Sequence, residues 1–144
     1  MVCGECTLCC KMINIPWMNS PAGVYCKNCS PGKGCNIFKD APEDCKEYSC
    51  LYCQMEKVSV NLRPDVCHVI FEKINDEIVI VTGLVEEGYD LNTDIQNQIA
   101  SFLNEGLSVF LSRVGNTVPL VIPSAGKTGQ TIFDTVLKGV RQWQ

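Results

Sequence analysis

The sequence predicts an α+β fold in which an irregular, cysteine-rich, metal-binding N-terminal module packs with a small sheet and two helices. Ten of the 11 cysteines lie in the first 53 residues. After Glu56 cysteine nearly vanishes and regular strand-like and helix-like patterns begin. We therefore predict a cysteine-cluster metal-binding module at residues 1–56, followed at residues 57–144 by a small α+β part with about four strands and two helices.

The overall composition is that of a folded globular protein, with 46% hydrophobic and 19% charged residues. The net charge of -4 argues against a protein that binds phosphate backbones, so we expect no nucleic-acid partner. No apolar run approaches the roughly 18 residues of a membrane span. The first residues also lack the basic and apolar segments of a signal peptide. We predict a cytoplasmic protein without a membrane partner, and the sequence leaves open whether it has a protein partner.

The cysteine density indicates either a disulfide scaffold or metal ligation. The count of 11 is odd, so full oxidation would leave one thiol unpaired. Cys9 and Cys10 are adjacent and stand among CxxC pairs, a spacing that suits one ion better than long bridges. These features, together with the predicted location in the reducing cytoplasm, favour metal ligation over disulfide bonds.

The first metal-binding stretch is Cys3-Gly-Glu-Cys6-Thr-Leu-Cys9-Cys10, which places four thiols in eight residues. A CxxC step turns the chain so that both thiolates point the same way. Cys10 then has to point elsewhere, toward a second metal or a bridging position. A second knuckle and further thiols follow at Cys26, Cys29, Cys35, Cys45, Cys50 and Cys53.

Around these thiols the sequence predicts only short elements. We expect a strand at Met12–Ile15, a turn at Asn19–Gly23, and a short helix at Ala41–Cys53 with Pro42 near its first turn. Trp17 is expected to cap the small core beside the metals.

Four apolar runs in the second part predict strands, at Cys67–Glu72, Ile78–Thr82, Leu107–Arg113 and Thr117–Ile122. Pro119 places the last of them at an edge, because proline cannot donate to a neighbouring strand.

Two periodic stretches in the second part predict helices, at Thr93–Glu105 and Thr131–Trp143. The first begins with a possible capping box, Thr93-x-x-Gln96, and is followed by Gly106 as a stop. An acidic loop is expected at Gly83–Asn92.

Two further motifs carry little chemistry. Gly126-Lys127-Thr128 resembles the end of a phosphate-binding loop, but Val121 stands where that loop needs a glycine. Cys67 and His68 are neighbours in a predicted strand, so their side chains should diverge; one of them could be a single ligand, but a catalytic pair is not expected. No paired-carboxylate motif is present, so we name no catalytic residue and rank an enzyme last.

The cysteine pattern resembles the YkgJ-type cysteine-cluster proteins, the CxxCxxCC zinc- or iron-chelating domain family. The matching segments are Cys3-x-x-Cys6-x-x-Cys9-Cys10, Tyr25-Cys26-Lys-Asn-Cys29, Gly34-Cys35-Asn-Ile37-Phe38, Cys45 and Tyr48-Ser-Cys50. The resemblance covers about Cys3–Tyr52 and implies metal chelation without a defined reaction.

The chain also departs from this family. Phe38 and Ala41 stand where a tyrosine and an arginine are usual, and Cys53 and Cys67 lie outside the family pattern. We therefore treat Cys53 and Cys67 as weaker ligand candidates.

Nine thiols remain as predicted ligands: Cys3, Cys6, Cys9, Cys10, Cys26, Cys29, Cys35, Cys45 and Cys50. Because a tetrahedral ion uses four thiolates, nine suit either two sites with a spare or a bridged multinuclear cluster. We favour zinc in closed all-thiolate sites with a structural, storage or interaction role. The alternative is an iron–sulfur protein that transfers electrons, although Cys9-Cys10 replaces the last step of a ferredoxin-type motif.

Overall fold

The fold is a mixed α+β arrangement, as the sequence predicts. It is described by a computed structural model that covers residues 4–15, 18–74 and 79–140. Two sheets are present in this part of the chain: a two-stranded hairpin among the cysteines and a four-stranded mixed sheet after them. The predicted positions of Cys3 and Trp17 lie outside the described residues.

The cysteine-rich part is built from short elements. The hairpin pairs β1 (Cys29–Ser30) with β2 (Gly34–Cys35), and Phe38–Asp40 and Val60–Leu62 form single 3₁₀ turns. The short α-helices are α1 (Cys9–Met12), α2 (Glu43–Glu47), α3 (Leu51–Gln54) and α4 (Pro64–Cys67).

Two predictions for this part are wrong. Met12 ends helix α1 instead of opening a strand, because its N–H donates to the Leu8 carbonyl at 2.9 Å; only Ile15 forms a β-bridge, with Ser20. The single helix predicted at Ala41–Cys53 is two helices. Its backbone becomes extended at Tyr48 (φ -61°, ψ 127°), whose hydroxyl reaches across to the larger sheet.

The larger sheet has the order β3-β4-β5-β6, formed by Val69–Lys73, Ile80–Val85, Ser108–Arg113 and Asn116–Ile122. The central pair β4–β5 is parallel and the two outer pairs are antiparallel. Helix α5 (Thr93–Asn104) connects the parallel strands, as such a crossover requires. Strand β6 lies at an edge, which confirms the inference from Pro119.

Helix α6 is described over Gly129–Val140, and its predicted end at Trp143 lies outside the described residues. Ile78, at the predicted start of the second strand, also lies outside them.

Helix α5 matches the prediction closely, but its cap is Asn92, whose side chain accepts a hydrogen bond from the Ile95 N–H at 3.0 Å.

Strand β4 continues to Val85, through the first residues of the predicted acidic loop. Glycine suits position 83 in this strand, because the Cβ of any other residue would clash with its neighbours. That Cβ would lie only 2.5 Å from Leu111 Cδ2 and 2.9 Å from Phe71 Cε1. Cys67 ends helix α4 and His68 has a left-handed backbone (φ 61°), so the strand predicted from Cys67 begins only at Val69.

The two faces of the sheet are covered differently. Helix α5 packs on one face, in a core cluster with residues of β3, β4 and β5. On the other face α6 packs against Ile80 and Phe110. The cysteine-rich part covers Ile70 and Leu84 on that same face, with Met12 among its buried side chains. The sheet is thus the support on which the thiols are assembled.

Candidate metal centre

Four cysteines from two separated segments line one cavity against the sheet. Cys6 and Cys9 come from the start of the chain and Cys50 and Cys53 from the start of helix α3. We call these four residues the inner group. The cavity has about 40 Å³, more than one water molecule needs, and its other walls include Tyr48 and Ile70.

The clearest distance in the inner group joins the Sγ atoms of Cys50 and Cys53, which are 3.8 Å apart. A disulfide would need about 2.05 Å. Two thiolates on one tetrahedral zinc ion at about 2.3 Å from the metal are about 3.8 Å apart. The CxxC turn holds this spacing, because the Cys53 N–H donates to the Cys50 carbonyl at 3.0 Å.

Four other cysteines lie beyond α1, in the loop before the hairpin, on its two strands and on α2, and we call them the outer group: Cys26, Cys29, Cys35 and Cys45. Cys29 and Cys35 face each other across the β1–β2 hairpin, and the Cys29 N–H donates to the Cys26 carbonyl at 2.9 Å. Cys26 is buried and the other three are half-buried. The hairpin is fixed further by Thr7, whose hydroxyl accepts the Gly32 N–H at 2.9 Å.

Cys10 lies between the two groups. The thiols of Cys9 and Cys29 are both near enough to the Cys10 thiol to affect its pKa. Helix α1 explains why the adjacent Cys9 and Cys10 are directed differently, since successive helical residues point about 100° apart. The Cys10 carbonyl also accepts the Cys26 N–H at 2.9 Å, which ties the second knuckle to the first.

Three of the clustered thiols, those of Cys10, Cys29 and Cys45, have pKa values raised above the ordinary value. Burial, and then the charge that Cys10 would carry, raise the pKa of Cys29 to about 11. The hydrogen bond with Cys9 and burial raise the pKa of Cys10, and burial with the neighbouring thiols raises the pKa of Cys45. A cation among these groups would therefore have to displace protons as it binds.

Two polar contacts anchor the cysteine-rich part to the sheet. The Tyr48 hydroxyl donates to the carboxylate of Glu72 on β3, and burial together with that carboxylate raises the tyrosine pKa. Lys11, next to Cys10, forms an ion pair with Glu86, whose carboxylate side chain is only 7% exposed. His68 Nδ1 lies 2.8 Å from the other oxygen of Glu86.

The structure assembles eight of the nine predicted ligands in or beside the two groups, and the ninth, Cys3, lies outside the described residues. Cys53 lines the inner cavity although it departs from the family pattern. The signal for it was present in the Cys50-x-x-Cys53 spacing.

Cys67 and His68 do not line the inner cavity, although the charge that Cys50 would carry is among the causes that raise the pKa of Cys67. The Cys67 thiol is 3.4 Å from the Val69 carbonyl, in the core under α5, and His68 stacks on Tyr89 with ring centroids 3.5 Å apart. Their side chains do diverge, although the cause is the end of helix α4 and not strand alternation.

The ten described cysteines carry thiols, not disulfides. Over residues 4–15, 18–74 and 79–140, no group of three or more Cys, His, Asp and Glu side chains lies close enough together to hold a metal ion. None of the helices in this part of the chain is long and apolar enough to cross a membrane.

Comparison with protein-family models, with curated proteins and with solved structures yields no match. The resemblance to the YkgJ-type family therefore stays a prediction from the cysteine pattern.

Proposed function

We propose that this chain is a zinc-binding protein with two all-thiolate sites, formed by the inner group and the outer group. The observation that supports the proposal is the inner cavity, whose lining includes four cysteines, two of which have sulfur atoms 3.8 Å apart. That distance is the edge of a zinc tetrathiolate tetrahedron, about 3.8 Å.

The donor chemistry also fits zinc. Every candidate ligand in the two groups is a cysteine, and soft thiolates with tetrahedral geometry are typical of structural zinc. Each group has four thiols, the number that a closed tetrahedral zinc site uses, and the proposal requires the four side chains to draw together on the ion, because no such set is found among the described residues. The ions would supply charge neutralisation and cross-linking, not a reaction.

A structural role follows from where the groups sit. The described cysteine-rich part has short helices, a hairpin whose strands have two residues each, and a small buried cluster that includes Leu8 and Met12. So little apolar burial rarely holds such loops together without metal or disulfides. We propose that zinc fixes this part on the sheet, leaving the outer surface for a protein partner in the cytoplasm.

The test is anaerobic purification followed by elemental analysis and a visible absorption spectrum. The proposal predicts two zinc ions per chain and a colourless protein. Iron with matching sulfide and a broad band near about 400 nm, the absorption of iron–sulfur clusters, would replace it with the electron-transfer alternative. Cysteines titrating as disulfides in the fresh protein would exclude both.

A further inference from the structure

Cys50 and Cys53 form a close pair of thiols on a turn that hydrogen bonds hold in shape. Their sulfur atoms are 3.8 Å apart, and the Cys53 N–H donates to the Cys50 carbonyl at 3.0 Å. Outside the pair, the Gln54 side-chain amide donates to the Ser49 carbonyl at 2.7 Å. The reduced chain is thus already bent into the small ring that a disulfide would close, so little loop-closure entropy remains to be lost.

The turn is supported by packing on both sides. Helix α3 follows Cys50 directly, and its Leu51 packs against the core cluster under α5. The next residue, Tyr52, packs against the buried cluster that contains Met12. Because the residues between the two cysteines are packed, the turn keeps its shape and each sulfur has the other as a near partner.

The two thiols differ in how easily a reagent can reach them. Cys50 is buried at 8% exposure, whereas Cys53 is half-buried, and both line the inner cavity. The rate of thiol–disulfide exchange depends on access to the attacking sulfur. A small disulfide should therefore react first with Cys53, which leaves Cys50 as the second thiol.

We infer that Cys50 and Cys53 are a dithiol pair that exchanges with small-molecule disulfides and is reversibly oxidised to a disulfide. The inference goes beyond the proposed function, because the exchange needs no metal ion and concerns these two side chains alone. One consequence does rest on the proposed function: an oxidised pair would no longer offer two thiolates to the inner group.

The exchange consists of two substitutions at sulfur. The Cys53 thiolate attacks one sulfur of the small disulfide, whose S–S bond breaks, and the released thiolate takes up the proton that Cys53 lost. The Cys50 sulfur then attacks the Cys53 sulfur, the mixed disulfide breaks, and the second small thiolate takes up the Cys50 proton. In total the pair loses two electrons and two protons, and one small disulfide becomes two thiols.

The probe is oxidised glutathione, mixed in graded ratios with reduced glutathione and added anaerobically to the whole chain as purified. Remaining thiols are then alkylated in denaturant. Cleavage after lysine and arginine releases residues 47–57, a peptide that contains Cys50 and Cys53 and no other cysteine. We expect it to change from doubly alkylated to an unalkylated disulfide, and to return to the dithiol in excess reduced glutathione. Residues 58–73 contain only Cys67, which is 1% exposed, so that peptide should stay alkylated.

Two substitutions separate the roles of the pair. Cys50→Ser removes the second thiol, so a glutathione adduct should accumulate on Cys53. In Cys53→Ser the buried Cys50 should gain its adduct about tenfold more slowly, because access limits the attack. Cys67→Ser is the matched control, since its thiol faces the Leu62 and Val69 carbonyls, and it should leave oxidation of the pair unchanged.

A peptide 47–57 that stays a dithiol at every glutathione ratio, or that becomes cross-linked to another peptide, would overturn the inference. Oxidation that excess reduced glutathione does not reverse would overturn the exchange. Equal or reversed adduct rates in the two serine variants would show that access does not order the two thiols, and would overturn the mechanism. The zinc content of the same purified sample tests the proposed function separately, and neither result decides the other.

Discussion

Replacing Cys53 with serine distinguishes between two predictions of the zinc ligands. The inner group includes Cys53, whereas the family pattern lacks it. Cys53 is one of four thiols around the inner cavity, and its sulfur lies 3.8 Å from that of Cys50. We therefore expect Cys53→Ser to weaken zinc binding at the inner group as strongly as Cys6→Ser or Cys9→Ser. The family pattern alone predicts a smaller effect.

The expected size follows from the number of ligands. Structural zinc sites bind with about 10–16 kcal/mol at neutral pH, or roughly 2.5–4 kcal/mol for each of four thiolates. Removing one thiolate should therefore lower the affinity for one of the two zinc ions by about 60- to 700-fold. The other ion, held by the outer group, should keep its affinity.

The assay is competition between the protein and a chromogenic chelator, under anaerobic conditions and with both ions resolved in the titration. Cys67→Ser again provides the control, since Cys67 is buried at 1% exposure and its thiol faces backbone carbonyls. Its zinc curve should superimpose on the wild type even if its melting temperature falls. An unchanged zinc curve for Cys53→Ser would refute the assignment of the inner group.

Three further predictions concern the scaffold, and each is measured by denaturant unfolding. Gly83→Ala should destabilise the fold by about 1–3 kcal/mol, because the new methyl group overpacks the sheet face under α5; a neutral result would contradict this packing. Asn92→Ala should cost about 1 kcal/mol by removing the cap of α5, and Asn92→Asp should restore it. Burial alone would raise the pKa of Glu86, but its contacts with Lys11 and His68 lower that pKa overall. Ionised Glu86 therefore stabilises the fold above the ordinary carboxyl pKa, and this stabilisation is lost as pH falls through the lowered pKa. Glu86→Gln should remove that acid-side loss and cost about 1–3 kcal/mol at neutral pH, whereas an unchanged pH profile would exclude the ion pair as its cause.

The second part of the chain was largely predictable because its signals are local and periodic. The apolar stripe of Thr93–Asn104 and the proline in β6 each report a packing environment within a few residues. The errors there are small. Asn92 and Thr93 are both good caps, and sequence alone does not decide between adjacent candidates.

The cysteine-rich part was less predictable because its elements are too short to carry a period. Helix α1 is one turn held by a few backbone hydrogen bonds, and Tyr48, where the predicted helix breaks, contacts Glu72, 24 residues later. The pattern identified the thiols but could not sort them into groups. Which cysteines meet is set by how α3 and the second knuckle pack around α1, and spacing within a segment does not report that.

X-ray absorption at the metal edge tests the central claim most directly, because it identifies the element and counts its ligands in the protein as purified. We predict zinc with four sulfur neighbours at about 2.3 Å and no nitrogen or oxygen in the shell. An iron edge with iron–iron scattering, or zinc bound mainly by light atoms, would contradict the account.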